Sequence, residues 1–279
     1  VASGERLPLE QAAIPQHGHA VEARLYAEDP ERGFLPSTGR LSRLRFPEAT
    51  QDVRVDAGVE EGDEVTVHYD PMIAKLIVWA PDRATAIERL QQALEATEVE
   101  GVRTNARFLW QILGAPAVRA GDVSTRLLET DPSLAPGVAA HEIHAAWLIA
   151  AAARLQSMPG DELGHASHAA SPWEAATGFR LNGPASVRVA LRLDANGAPA
   201  SVAESRPLQH WLSFRREAEG LAVVLDGKTH RVTLRRPADE VLEGYVDGHP
   251  VRARVELDHG RLIVRRHCLR FDFVEDTGA

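Results

Sequence analysis

The sequence predicts an α+β protein in two parts: a mixed strand and helix domain, then an antiparallel β-barrel-like domain wrapped on one long helix. Three observations carry this. Before residue 134, segments that alternate at period two are interspersed with segments of helical period. After it, one alanine-rich stretch is followed only by short alternating stretches. Between them, "TDPSLAPGVAA" (Thr130–Ala140) holds two prolines and a glycine, which reads as a boundary. The expected division is 1–134 and 135–279.

The first part opens with "GHAVEARLYAED" (Gly18–Asp29). Read as a strand from Gly18 to Ala27, it sorts by parity. Val21, Ala23, Leu25 and Ala27 share one face, and Glu22, Arg24, Tyr26 and Glu28 share the other. "GRLSRLRFP", "VRVDAGV" and "EVTVHYD" read as further strands. "MIAKLIVWA" (Met72–Ala80) is almost continuously apolar, with Lys75 as its one charge, and reads as a central strand. Pro81 ends it. Asp82 is placed to cap a helix, because its carboxylate accepts the unpaired N–H groups of a first turn. Ile87, Leu90 and Leu94 then fall on one face. Thr104 or Asn105 starts a shorter helix with Phe108, Leu109 and Ile112 inward, and Gly114 stops it.

In the second part, residues 139–156 ("AAHEIHAAWLIAAAARLQ") read as a helix that is apolar around most of its circumference, so other structure should surround it. "MPGDELGHASHAASP" (Met158–Pro172) has no apolar period and reads as a loop. Antiparallel strands are expected over 178–275, from "GFRLN" through "LRFDF". Turns are expected at Asn196-Gly197, Asp226-Gly227, Asp247-Gly248 and Asp258-His259-Gly260. Curling these strands around the helix would remove exposed edges and bury the helix together.

Composition narrows the function. The chain has 279 residues, 44% hydrophobic and 25% charged, which is ordinary for a soluble globular protein. A formal net charge of -9 argues against a nucleic-acid partner, whose phosphates need a basic surface. No apolar run is long enough for a membrane-spanning helix, so no membrane role is expected. The single cysteine, Cys268, excludes an internal disulfide and fits a reducing cytoplasm. Val1 stands where a Met would, and the expectation is a piece of a longer polypeptide.

Few side-chain groupings point to chemistry. His141 and His144 in "HEIH" are three apart, not the four of a helical zinc pair, and no metal is expected. His165 and His168 fall in the loop, and His17 and His19 flank a turn. There is no nucleophile elbow and no P-loop. The opening strand is the exception. Arg24 has Glu22 and Glu28 on its own face, roughly 7 Å and 13–14 Å away along the axis, with Tyr26 between. An arginine keeps its proton, and its planar fork holds a fixed orientation once paired. That suits stabilising negative charge on an oxygen. Charged outer faces of amphipathic strands are also common, and the residues alone leave both readings open.

The wording of these segments favours the first. "GHAVEARLYAEDP", "FLPSTGRL", the run from "VRVDAGVEEGDEVTVHYDPMIAKLIVWA" to "EVEGVRTN", and "GDVSTRLLE" resemble, in order and spacing, the C-terminal part of biotin carboxylases. The resemblance covers roughly residues 1–129. "SPWEAATGFRLN" is similar to the middle domain of α subunits of biotin-dependent acyl-CoA carboxylases, most like the methylcrotonyl-CoA type. The resemblance implies a ligase that uses ATP, Mg2+ and bicarbonate to carboxylate N1′ of biotin on a carrier domain. A carboxyltransferase β subunit then moves the carboxyl to an acyl-CoA.

By the same resemblance, Arg24 contacts biotin's ureido oxygen, where charge develops as N1′ loses its proton. Glu22, Glu28 and Tyr26 are then candidates to fix its fork. Thr125 corresponds to a segment near the adenine of ATP. Arg54 and Asp70 correspond to positions near a carboxylase dimer interface. Trp147, Trp173 and Trp211 are candidate anchors for the β subunit, with plain core packing as the other reading for each. Lys75 lacks the "AMKM" context of a biotinylated lysine.

The family's central ATP-binding domain, its glycine-rich lid and its "RIQVEH" segment are not in this sequence. The expectation is therefore a fragment that does not turn over ATP alone, from a cytoplasmic hetero-oligomer of α and β subunits. The expected acyl-CoA is 3-methylcrotonyl-CoA, of leucine breakdown, with geranyl-, propionyl- and acetyl-CoA as alternatives. A purely structural assembly module is the reading from a different class.

Overall fold

The structure is a computed structural model that describes residues 2–157, 187–194, 200–204, 208–217, 220–238, 240–258 and 260–275. "GFRLN", Trp173, His165, His168 and the Asn196-Gly197 turn lie outside the described residues. The chain divides into two compact units, Val1–Asp29 with Leu35–Ala135, and Pro30–Phe34 with Pro136–Ala279.

The first unit is built on a three-stranded antiparallel sheet. Met72–Ala80 lies between His19–Tyr26 and Val53–Ala57. Parity sets its two faces. Ala23, Leu25, Ala74, Leu76 and Val78 are at most 5% exposed and cover one face. The helix Arg83–Ala96 packs on that side through Ile87, Leu90 and Leu94, each fully buried. Asp82 caps the helix as expected, its carboxylate accepting the Thr85 N–H at 2.9 Å. Burying aliphatic side chains of this size stabilises by about 1.5–3 kcal/mol each. The opposite face carries Glu22, Arg24, Lys75, Arg54 and Asp56, with Ile77 and Trp79 among them.

Two segments shorten relative to the sequence reading. "GRLSRLRFP" gives only the pieces Gly39–Arg40 and Arg43–Arg45. "EVTVHYD" gives only Glu64–Val65, and Val67 and Tyr69 are 75% and 84% exposed. Alternation is a strand signal only when one of its faces meets a core, and here only Leu41 in the first segment and Val65 in the second are buried.

The second unit is a closed barrel of eight antiparallel strands. They are Val187–Asp194, Gln209–Glu217, Gly220–Leu225, Lys228–Ala238, Val241–Val246, His249–Asp258, Arg261–Arg266 and Leu269–Glu275. The last pairs with the first, Leu193 opposite Phe273, so every strand has two neighbours. The helix Ala140–Gln156 forms one core with inward residues of all eight strands. Ala150, Ala151, Ala152 and Ala153 are at most 1% exposed. Four consecutive residues exceed one 3.6-residue turn, so the helix is enclosed on every side. An eight-stranded barrel has room only for side chains, and alanine is what allows a helix in that space.

The hairpin chemistry explains the short connections. Asp226-Gly227 and Asp247-Gly248 have positive φ at both positions, as a type I′ turn requires. His267 and Cys268 take the same left-handed conformation without glycine. His267 Nδ1 is 2.8 Å from the Glu142 carboxylate on the helix, and Arg266 Nε is 3.2 Å from it, which ties that turn to the helix. The connection from Asp194 to Gln209 includes a helical turn, Ala200–Glu204, and is not a two-residue hairpin.

Candidate active site

Arg24 stands on an edge strand of the sheet and projects from its polar face. Its neighbours Ala23 and Leu25 are buried, which fixes the strand's rotation and therefore the side on which Arg24 emerges. Directly opposed residues of an antiparallel pair share a face. Arg24 is opposite Lys75, and Lys75 is opposite Asp56. Glu22 is opposite Ile77, which is opposite Arg54. The face therefore carries Glu22, Arg24, Lys75, Arg54 and Asp56 in one patch.

The charges in this patch are arranged in pairs. Arg24 Nε donates to Glu22 Oε1 at 3.1 Å. Arg54 makes a two-point contact with Asp56, at 2.8 and 2.9 Å. Arg24 and Lys75 are like charges directly opposed, an unfavourable pairing by itself, and Glu22 and Asp56 flank them. The Glu22 bond, then Tyr26, holds the Arg24 proton still more firmly than usual. Asp56 is held below the ordinary carboxylate value by its bond to Arg54, with Lys75 adding to it. Arg24 is 59% exposed at its side chain. Glu22 takes Nε, the donor nearest the backbone, and the two terminal amino groups form the distal edge of the fork. The arrangement is a permanently charged, oriented donor on a rigid strand. It can hold an oxygen that gains negative charge.

Glu28 keeps the parity of Arg24 and Tyr26, as buried Ala27 and Asp29 keep that of Ala23 and Leu25, but it lies beyond the end of the strand. The register shifts between Leu25 and Tyr26, and the strand ends at Tyr26. Glu28 begins a separate short pairing opposite Pro36. It lies instead under the influence of Asp70, and burial first, then that like charge, raises its carboxyl above the usual range. The extra residue at the shift, Ile73, is on the partner strand, so the alternation of burial from Glu22 to Asp29 is not broken. Asp70 itself accepts the Met72 N–H at 2.9 Å and starts the central strand.

The other candidates scatter. Thr125 is on an exposed turn before the helical turn Leu127–Thr130. Trp211 points outward from the barrel, opposite Ala190, and is 62% exposed. Trp147 does not serve as an external anchor: it is 3% exposed in the barrel core, edge-on to Phe273 at 4.8 Å. A large indole on an enclosed helix fills the barrel rather than reaching a partner. His144 Nε2 is 3.1 Å from His230 Nε2, and His230 Nδ1 is 2.7 Å from Asp247 Oδ2. Among the described residues no group of three or more His, Cys, Asp or Glu is placed to hold a metal ion. No described helix is long and apolar enough to cross a membrane.

Two features of the site escaped the sequence reading. Lys75 and Asp56 share the Arg24 face, which the register between three alternating segments alone reveals. Asn105 binds the strand next to Arg24. Its signal was its place in "VEGVRTN", which looked only like a helix start.

Residues 22–130 match the family described as Biotin carboxylase C-terminal domain. Methylcrotonoyl-CoA carboxylase subunit alpha, mitochondrial, of Mus musculus is 50% identical over 125 residues, 45% of this chain and 17% of that protein. The protein of the same name from Dictyostelium discoideum is 39% identical over 184 residues, 65% of this chain and 26% of its own. Biotin carboxylase of Halalkalibacterium halodurans is 46% identical over 125 residues, 45% of this chain and 27% of its own. The chain thus spans between 17% and 27% of the length of these relatives. A solved biotin carboxylase domain dimer of Hydrogenobacter thermophilus 2-oxoglutarate carboxylase, with MgADP, ADP and bicarbonate, is 40% identical. It covers 50% of this chain and 30% of its own, with a TM-score of 0.47.

Proposed function

We propose, from the premise that residues 22–130 form a biotin carboxylase C-terminal domain, that this chain serves in the α subunit of a biotin-dependent acyl-CoA carboxylase. Arg24 is its contribution to biotin carboxylation. The observation that carries the assignment is the exposed guanidinium held by Glu22 on a strand whose other face is buried. When bound, biotin supplies the nitrogen to be carboxylated and an adjoining ureido oxygen that gains charge. A fixed guanidinium suits such an oxygen, because it is already oriented and its proton does not leave.

Glu22 and Tyr26 hold the fork of Arg24. Arg54 and Asp70 belong to the contact with a second carboxylase domain. Thr125 lies toward the adenine of ATP. Bicarbonate, Mg2+ and most of the ATP contacts belong to parts of the enzyme other than this chain, so this chain alone does not turn over ATP. The barrel unit docks a carboxyltransferase β subunit, and Trp211, its exposed tryptophan among the described residues, is the proposed anchor. Trp173 stays in the same proposal from the sequence alone.

The proposed acyl-CoA is 3-methylcrotonyl-CoA, supported by relatives of that name at up to 50% identity. A propionyl-CoA carboxylase alpha chain of Ruegeria pomeroyi, 45% identical over 147 residues, supports the alternative, with geranyl- and acetyl-CoA behind it. The proposed compartment is the cytoplasm, supported by the lone cysteine. Relatives named as mitochondrial support the competing compartment.

The test is Arg24→Lys in a complete α subunit containing this chain. Losing one such donor costs about 10²–10³ in rate, so carboxylation of free biotin should fall to that extent while the α and β subunits still assemble. A variant at full rate would overturn the role of Arg24. Assaying the assembled enzyme with the four acyl-CoA thioesters tests the substrate. Bicarbonate-dependent ATP turnover by this chain alone would overturn the division of labour.

A further inference from the structure

Asn105 precedes the helix Ala106–Gly114, where a side chain ordinarily turns back to cap the first turn. Here it makes no cap bond. Its carboxamide reaches the strand that carries Arg24. Oδ1 accepts the Tyr26 N–H at 2.9 Å, and Nδ2 donates to the Arg24 carbonyl at 3.2 Å. The Asn105 backbone N–H donates to the Tyr26 carbonyl at 3.2 Å. The residue is 7% exposed.

These three bonds lie on the outer edge of the strand, away from its partner Met72–Ala80. A carboxamide offers the same donor and acceptor as a peptide group, so Asn105 stands where a further strand would be. Its position along the strand matters more. The register shifts between Leu25 and Tyr26, where the ladder is interrupted. The residues on either side, Arg24 and Tyr26, are the guanidinium and the phenol that acts on it. An interrupted ladder leaves the backbone freer to rotate, and a long side chain magnifies any rotation at its distal edge.

We propose that Asn105 is a positioning residue for Arg24. It fixes the backbone on both sides of the register shift, so that the guanidinium is aimed before a substrate arrives. This rests on the reading that Arg24 stabilises charge on the biotin ureido oxygen.

The experiment is a double-mutant cycle in a complete α subunit containing this chain, with free biotin as substrate. Asn105→Ala should lower kcat by about 10–100-fold with little change in KM, because a misplacement near 1 Å costs on that order. In an Arg24→Ala background, the same change should lower kcat less than about 2-fold, because residues acting through one another are not additive. A residue that only holds the fold together would give its full loss in both backgrounds. Asn105→Gln keeps both hydrogen-bonding groups on a chain one carbon longer, and it runs the same cycle should the alanine variant fail to fold. Equal losses with and without Arg24, or no loss from Asn105→Ala, would overturn the proposal. If Arg24→Ala itself keeps the full rate, the biotin reading fails instead, and the two failures are told apart.

Discussion

Every strand of the barrel has two neighbours, and the helix inside it shows no exposed side from Ala146 to Ala153. The sheet that carries Arg24 has three strands, so two of them have an edge with no strand beside it, and one of its faces carries most of its charges. Both regions rest on the same alternation of apolar and polar residues. They differ in what the second face does. In the barrel the outward face carries paired charges such as Arg265 with Glu256, at 2.6 Å, around a closed core. In the sheet the outward face gathers Arg24, Glu22, Lys75, Arg54 and Asp56 on one side of a rigid layer. Closure abolishes strand edges and favours stability, whereas an open layer leaves donors available for a ligand. Stability and chemistry should therefore respond to different substitutions.

The largest effect that would separate them is Phe273→Ala. Phe273 is fully buried between Trp147 and Phe271. Truncating a buried phenylalanine costs about 3–5 kcal/mol. Denaturant unfolding should show that loss, with amide exchange faster in His249–Asp258 and unchanged at Leu76. Equal loosening at Leu76 would break the comparison. Ala151→Leu comes next. It adds three carbons to an enclosed helix, and overpacking of this kind costs about 1–3 kcal/mol. A stabilised variant would mean that the barrel has room that the alanine run does not reveal.

A pH scan sharpens the comparison further. Burial holds His144 below the ordinary histidine value of 6.5, and His230 adds to this, while Asp226 and Asp247 oppose it and His210 favours it. A depressed pKa means that the folded state prefers neutral His144. Its contribution is present above the unfolded value and is lost as pH falls through the lower folded value. Asp247 acts in the same direction at more acid pH. Burial alone would raise it, but its bonds from His230 and the Arg231 N–H hold it below its usual value. Barrel stability should therefore fall as the solution is acidified from about pH 6.5. His144→Gln should flatten that slope, and an unchanged slope would assign it elsewhere.

The sequence made the barrel legible because its signals were local. Asp226-Gly227 and Asp247-Gly248 name their turns, and four consecutive alanines name an enclosed helix. Arg24 was legible by parity and by the wording around it. Glu28 keeps the parity of Arg24, but the ladder ends at Tyr26, and nothing in "ARLYAED" marks that end. Trp147 stood between core and interface because an aromatic ring suits both, and closure of the barrel puts it in the core. Asn105 was legible as a helix start but not as a clamp, since its partners lie 79 and 81 residues away. Long-range polar contacts have no period to detect.

The smallest expected effect on stability is also the most telling. Glu22→Gln removes a charge from an exposed pair, with side chains 59% and 42% accessible. Such pairs add little to stability, because solvent screens them and both side chains are ordered to form them. The melting temperature should stay where it is. The same change should slow biotin carboxylation by a complete α subunit, because the neutral amide holds the Arg24 fork less firmly than a carboxylate does. In the barrel, by contrast, a change that leaves the melting temperature alone should leave the rate alone too, unless it touches a docking surface. If Glu22→Gln lowers the melting temperature and spares the rate, the open face is a structural surface like the barrel's, and Arg24 loses its assigned role. A rate that falls on an unaltered fold would place the chemistry where burial stops.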